Sequence, residues 1–103
     1  MGKDNIYRIS SAGEIKDFLT THQDWTFEGD RLKVHFKLLN FETAVIVMNE
    51  VAKVATRMDH HPQMTNTFNQ LGFSLCTHGV GDKVTSYDIA LATEIAGIVS
   101  KLQ

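Results

Sequence analysis

The sequence predicts an α+β fold, a two-layer sandwich in which three helices cover one face of a four-stranded antiparallel sheet. Three segments have apolar residues at helical spacing. Between them lie two pairs of shorter segments in which every second residue is apolar, as in half-buried strands. Short turn sequences join the members of each pair, which favours antiparallel hairpins. The order is therefore α-β-β-α-β-β-α, and the 103 residues, 43% of them apolar, are expected to form one domain over positions 1–103.

The first helix is predicted to begin with a capping box at Ser11–Glu14 and to end near His22. A short strand follows, in which Trp25 and Phe27 alternate with polar residues. Gly29-Asp30 is a turn signal, and strict alternation over positions 32–38 then predicts a half-buried strand.

Asn40 is a predicted cap for a second helix that runs to Met58. This helix carries two adjoining apolar stripes, and one sheet face needs only one of them. The wide arc indicates either deeper burial or a subunit interface, and we expect a homodimer or homotetramer through Asn40–Met58. The first stripe is Phe41, Ala44, Val45, Met48, Ala52 and Ala55, and the second is Val47, Val51, Val54 and Met58.

Pro62 is the only proline, and it predicts a change from helix to strand because it disfavours helical geometry at His61. The segments 64–68 and 71–77 then read as a second hairpin turning at Asn69-Gln70. A further capping box, from Thr85 to Asp88, opens the last helix.

Composition argues against several classes of function. The formal net charge of −2 and the scattered Lys and Arg residues do not favour direct binding of nucleic acid or an anionic membrane surface. A single cysteine cannot form an internal disulfide, and the first ten residues contain no apolar signal region. A cytoplasmic protein is therefore expected.

Three of the five histidines cluster in the run Asp59-His60-His61-Pro62 and in Thr77-His78. Histidine is suited to proton transfer near neutral pH, so the cluster indicates acid–base chemistry or ligand polarisation. A different explanation is that His60 and His61 bind carbonyl groups at a helix end. No Cys or His spacing resembles a structural zinc site, so no metal is expected. A nucleophilic Cys76 beside His78 is a weaker alternative.

This arrangement resembles pterin-4a-carbinolamine dehydratase, a family also known as a dimerisation cofactor of a homeodomain transcription factor. The family pattern begins with an ionisable residue and three spacer residues. A His follows, then either His or Asn, and then Pro. After five or six residues it has an aromatic residue, then nine spacers, His, and later Asp. The matching residues are His60, His61, Pro62, Phe68, His78 and Asp88.

The resemblance implies removal of water from a 4a-hydroxytetrahydropterin to give a quinonoid dihydropterin, without a metal or redox cofactor. It implies that His60, His61 and His78 are catalytic, with His61 and His78 as acid and base. The expected pterin contacts are Asp59, His60, His61, Cys76, Thr77 and His78. Asp88 is expected to cap its helix or to support the site.

The sequence departs from the family pattern at four positions. Thr56 stands where many active members carry Glu, Met64 replaces an aromatic residue, Cys76 replaces Ser, and Gly79 replaces an acidic residue. Thr56 is therefore only a possible supporting residue. These departures keep two other functions open, a non-catalytic dimerisation or interaction module and a pterin-handling role in molybdopterin metabolism.

Overall fold

The structure, a computed structural model, describes Arg8–Gln103 and has the predicted α+β architecture. The expectation about a signal region concerns positions that lie largely outside these residues. Within Arg8–Gln103, no helix combines the length and the apolar character needed to cross a membrane. The elements are α1 (Ala12–Thr21), β1 (Trp25–Glu28), β2 (Arg31–Lys37), α2 (Phe41–Met58), β3 (Gln63–Thr67), β4 (Gln70–Leu75), a 3-10 turn (His78–Val80) and α3 (Ser86–Leu102).

The four strands form one antiparallel sheet in the order β1-β2-β4-β3, so the two hairpins meet through β2 and β4. Alternate residues of these central strands are buried under the helices, in the cross-strand pairs Leu32–Leu75, Val34–Phe73 and Phe36–Leu71. This pairing places the beginning of β2 beside the end of β4. The other face of the sheet is not covered by helices.

Both hairpins turn over two residues. Gly29 and Asp30 have φ values of 58° and 59°, as a type I′ turn requires, so the predicted first turn is confirmed. The second turn is Phe68-Asn69 rather than Asn69-Gln70, because Thr67 pairs with Gln70. Asn69 is held there by the chain that follows β2: its side-chain amide donates to the Leu38 carbonyl at 2.9 Å.

Helix α2 is capped by the Asn40 side chain, which accepts from the Thr43 amide at 2.8 Å. Its buried face consists of Ala44, Val47, Val51, Val54 and Ala55. The second predicted stripe therefore faces the core, together with part of the first. Phe41 (47% exposed) and Ala52 remain exposed on the adjoining flank. That flank, and not the valine stripe, is available to another molecule.

Helix α3 begins with the predicted capping box, in which the Thr85 amide donates to Asp88 Oδ2 at 2.8 Å. Leu91, Ala92, Ile95 and Val99 are buried, and α3 packs against α2. The predicted strand over 71–77 ends at Leu75, since Thr77 instead makes an isolated bridge with Lys83. The chain thus leaves the sheet at Cys76, and positions 76–79 form part of the wall of a cavity.

Candidate active site

The six residues predicted to contact a pterin line a single cavity of about 570 Å³. It lies where the end of α2, the beginning of β3 and the end of β4 meet. Ligand cavities commonly have volumes of roughly 300–1,000 Å³, so this one can admit a small heterocycle. The predicted residues are Asp59, His60, His61, Cys76, Thr77 and His78, and the lining also includes Arg31, Pro62, Gln63, Ser74 and Gly79.

The end of α2 sends the two adjacent histidines in different directions. The Asp59 amide donates to the Thr56 carbonyl at 3.1 Å, and the His60 amide donates to the Ala55 carbonyl at 3.0 Å. These two bonds form a Schellman motif, with Asp59 in the left-handed conformation at φ 51°. Because the motif reverses the chain, His60 turns into the protein (6% exposed) while His61 stays exposed.

His60 belongs to a buried polar network centred on Asp88. Its Nε2 lies 2.6 Å from Asp88 Oδ1, and the Thr77 hydroxyl donates to Asp88 Oδ2 at 2.8 Å. The Thr85 amide donates to the same Oδ2. Asp88 is fully buried and Thr77 is 2% exposed, so the network is shielded from water. A carboxylate that accepts from three partners fixes the ring orientation of His60.

His61 and His78 are the exposed imidazoles of the cavity. His78 begins the 3-10 turn that follows β4, and its side chain is 83% exposed. Its Nδ1 lies 2.5 Å from Asp82 Oδ1. The structure therefore brings together three histidines from two distant segments, one of them buried and two accessible from solvent.

Cys76 is 5% exposed, and Arg31 Nη1 lies 3.1 Å from its sulfur. Burial raises the pKa of the Cys76 thiol, and the nearby Arg31 charge offsets only part of this effect. The thiolate is the reactive form of cysteine. This environment therefore disfavours the alternative in which Cys76 is a nucleophile at neutral pH.

Other residues of the sequence pattern lie elsewhere. Thr56 is exposed on the last turn of α2 and is outside the cavity lining formed by the described residues. Phe68 is 67% exposed in the turn at the far end of β3, roughly 16 Å along the chain from Gln63. Met64 is 38% exposed on that edge strand.

The sequence patterns do not signal Arg31, Gln63 and Ser74, which line the cavity, or Asp82, which lies outside the lining and contacts His78. Arg31 links three walls of the cavity: it donates to Ser74 Oγ at 2.5 Å, to Gln63 Oε1 at 3.3 Å and to the Cys76 sulfur. Only the pairing of β2 with β4 places this arginine there, and no local pattern around position 31 signals it.

An open four-stranded sheet covered by three helices on one face, with a histidine-lined cavity at its edge, defines a class of small α+β domain. The family model for pterin 4 alpha carbinolamine dehydratase matches residues 9–98. The chain therefore belongs to this family.

Individual relatives agree with the family match. A protein of Christiangramia forsetii named "Putative pterin-4-alpha-carbinolamine dehydratase" is 39% identical over 89 residues, which cover 86% of this chain and 91% of the relative. A protein of Sulfolobus acidocaldarius with the same name is 37% identical over 82 residues, 80% of this chain and 89% of the relative. The crystal structure of a transcriptional coactivator/pterin dehydratase from Brucella melitensis superposes with a TM-score of 0.83 at 28% identity, covering 89% of this chain and 99% of that one.

Proposed function

We propose that the protein dehydrates 4a-hydroxytetrahydrobiopterin to quinonoid dihydropterin, as one step of tetrahydrobiopterin recycling. We also propose that positions 1–103 form a single domain of the dehydratase type. The observation that carries this proposal is the convergence of His60, His61 and His78 on one cavity in a chain of the dehydratase family. The proposed enzyme is a hydro-lyase that acts by general acid–base catalysis.

The reaction breaks the bond between C4a and the hydroxyl oxygen, and the bonding electrons leave with the oxygen. Hydroxide is a poor leaving group, so a general acid must protonate this oxygen for water to depart. A general base takes a proton from the ring nitrogen system, which completes the quinonoid product. Two imidazoles on opposite sides of the pterin can perform both transfers.

The exposed histidines are the better candidates for these transfers. His61 and His78 line the cavity and are accessible from solvent, so each can exchange protons with both substrate and water. His60 has one ring nitrogen committed to Asp88. We therefore assign proton transfer to His61 and His78, and we assign to His60 the orientation of the pterin or of its catalytic partner.

The proposed pterin contacts differ in what they can offer. Asp59 is exposed at the cavity edge and can accept hydrogen bonds through its carboxylate. The hydroxyl of Thr77 is directed toward Thr85 and Asp88, and its amide donates to the Lys83 carbonyl at 2.8 Å. Thr77 thus supports the wall, whereas the thiol of Cys76 contributes mainly shape and apolar contact.

The decisive experiment is a dehydration assay with synthetic 4a-hydroxytetrahydropterin. We expect the purified protein to accelerate loss of the 4a hydroxyl, followed by the absorbance of the quinonoid product, above the rate in buffer alone. Protein kept unfolded by urea during the assay, compared with the same urea buffer alone, is the matched control. A folded protein that gives only the buffer rate would refute the proposed activity.

A second candidate function, a dimerisation or interaction module, is favoured by one observation. The flank of α2 beside the core presents Phe41 and Ala52 to solvent, and Ile46 further round the helix is 47% exposed. Exposed apolar surface on a small domain commonly marks an interface. We propose that this flank joins copies of the chain into a homodimer or homotetramer, a state compatible with the enzymatic function.

We expect static light scattering to give the mass of a dimer or tetramer for the wild-type protein. Ala52→Glu should shift the mass toward the monomer, because it would bury an unpaired charge at the interface. Lys16→Glu is the control, since it makes the same kind of charge change at an exposed position of α1, away from α2. A monomeric wild type, or equal shifts in both variants, would contradict the interface. Val47 is unsuitable for this test because it is fully buried in the protomer.

A further inference from the structure

Three donor groups of different chemistry converge beside the histidine cavity. They are the Cys76 sulfur, an imidazole nitrogen of His78 and a carboxylate oxygen of Asp82, and all three atoms lie within 4.8 Å of one another. We propose that they form a binding site for a divalent transition-metal ion of the zinc class, and that the bound ion closes the cavity to the pterin. The claim that the ion blocks the pterin rests on the proposed function, whereas the metal site itself does not.

The backbone holds the three donors close to one another. Thr77, which separates Cys76 from His78, accepts from the Asp82 amide at 3.1 Å and donates to the Lys83 carbonyl. The loop therefore returns to the strand end from which it started. Asp82 has φ 61°, a left-handed conformation that is uncommon outside glycine, and it follows Gly81 at φ 79°. This tight return sets the Asp82 carboxylate against the His78 ring.

The donor set selects the class of ion. Thiolate and imidazole are ligands of zinc and its neighbours in the first transition series, whereas calcium and magnesium take oxygen ligands. Three protein ligands leave a fourth position, which a water or substrate occupies in open zinc sites. Binding would displace the Cys76 thiol proton to water. With the Cys76 thiolate and Asp82 as anionic ligands, the charge of a divalent ion would then be balanced.

Tetrahedral zinc with bond lengths of about 2.0–2.3 Å separates its ligand atoms by roughly 3.5 Å, so the donor spacings, which reach at most 4.8 Å here, must adjust. His78 Nδ1 and Asp82 Oδ1, which lie 2.5 Å apart, must separate if both bind the ion. His78 and Asp82 can make this adjustment, since their side chains are 83% and 63% exposed. Rotation about their side-chain bonds is sufficient, and the buried Cys76 can stay in place.

Arg31 competes with the ion for the sulfur. Its guanidinium lies 3.1 Å from Cys76 Sγ, so a cation at the sulfur requires this group to move away. A second cavity, of about 680 Å³ on the open face of the sheet, also has Arg31 in its lining and can receive the displaced side chain. Metal binding and the Arg31–Cys76 contact are therefore alternatives, which makes Arg31 a diagnostic position.

The metal site is tested by titrating the reduced full-length protein with Co²⁺ and recording the thiolate-to-cobalt charge-transfer absorption, with Zn²⁺ affinity measured by calorimetry. We expect the absorption in the wild type and its loss in Cys76→Ser, with Zn²⁺ affinity lowered tenfold or more. Asp82→Asn should weaken binding and retain the absorption, and Arg31→Gln should strengthen binding.

His35→Ala, which removes an exposed histidine outside this cluster, is the control for the metal titration. No absorption in the wild type, or unchanged affinity in both Cys76→Ser and Asp82→Asn, would overturn the site.

The second arm measures whether Zn²⁺ blocks turnover. We expect Zn²⁺ to inhibit dehydration by the wild type reversibly, with recovery after chelation, and to inhibit Asp82→Asn only at tenfold higher concentration. Equal inhibition of the two proteins would refute closure of the cavity by an ion at this site. Failure of the proposed activity is distinguishable from failure of the metal site, because the Co²⁺ titration does not depend on turnover.

Discussion

His61→Ala and His78→Ala are each expected to lower the rate of pterin dehydration by about 10²-fold or more, the effect typical of losing a general acid or base. Both side chains are exposed at the cavity, so their removal should change the free energy of unfolding by no more than about 0.5 kcal/mol. A loss of rate in these variants would therefore report chemistry. The measurement is the dehydration rate at saturating substrate, with circular dichroism to verify folding.

His35→Ala is the matched control for this experiment. His35 is exposed on β2, with its Nε2 at 2.5 Å from Gln70 Oε1, and it lines the cavity on the open sheet face instead of the histidine cavity. Its removal should leave the rate nearly unchanged. Small and equal effects of His35→Ala, His61→Ala and His78→Ala would contradict the assignment of acid–base roles. His60→Ala differs from all three, since its burial predicts lower stability as well as lower rate.

The features that the sequence predicted well are local. Helix starts depend on contacts three residues apart, as at Ser11–Glu14 and Thr85–Asp88, and the structure contains both capping boxes. Alternation over 32–38 reflects a period of two along one strand, and Leu32, Val34, Phe36 and Leu38 are all buried. Such signals are contained in short windows of sequence, so the local structures that they predict depend little on the rest of the fold.

The features that could not be predicted depend on how elements pack. The sequence predicts the wide apolar arc of α2, but its division into a core face and an exposed flank depends on how α2 packs against α3 and β4. Arg31 is 45 residues from Cys76 in sequence, and their contact exists only because β2 and β4 are neighbours. The order of strands in a sheet does not follow from hairpin patterns alone.

Asp88 has two roles, and only one of them can be predicted from the neighbouring sequence. Its position three residues after Thr85 predicts a cap, and the structure contains that cap. Its second contact, with His60, joins residues 28 positions apart. The dehydratase pattern includes Asp88, but the local sequence explains this residue fully as a cap and contains no signal for the contact with His60.

Asp88→Ala is expected to lower the free energy of unfolding by about 3 kcal/mol or more. The substitution leaves His60 Nε2, the Thr77 hydroxyl and the Thr85 amide without their carboxylate acceptor in a buried environment. Each unsatisfied buried group costs about 1–3 kcal/mol, and a small domain has a total stability of only about 5–15 kcal/mol. Urea unfolding should show a lower midpoint with an unchanged dependence on denaturant concentration.

Glu94→Ala is the control for this loss, since it removes an exposed carboxylate from the same helix and should change stability by no more than about 0.5 kcal/mol. A double-mutant cycle separates the His60 contact from the cap. Because both residues belong to one network, the losses in His60→Ala and Asp88→Ala should sum to more than the loss in the double variant. Additive losses would mean that the two side chains are not coupled and that Asp88 acts on stability through the Thr85 cap and Thr77 alone. In that case His60 would lack its proposed orienting partner.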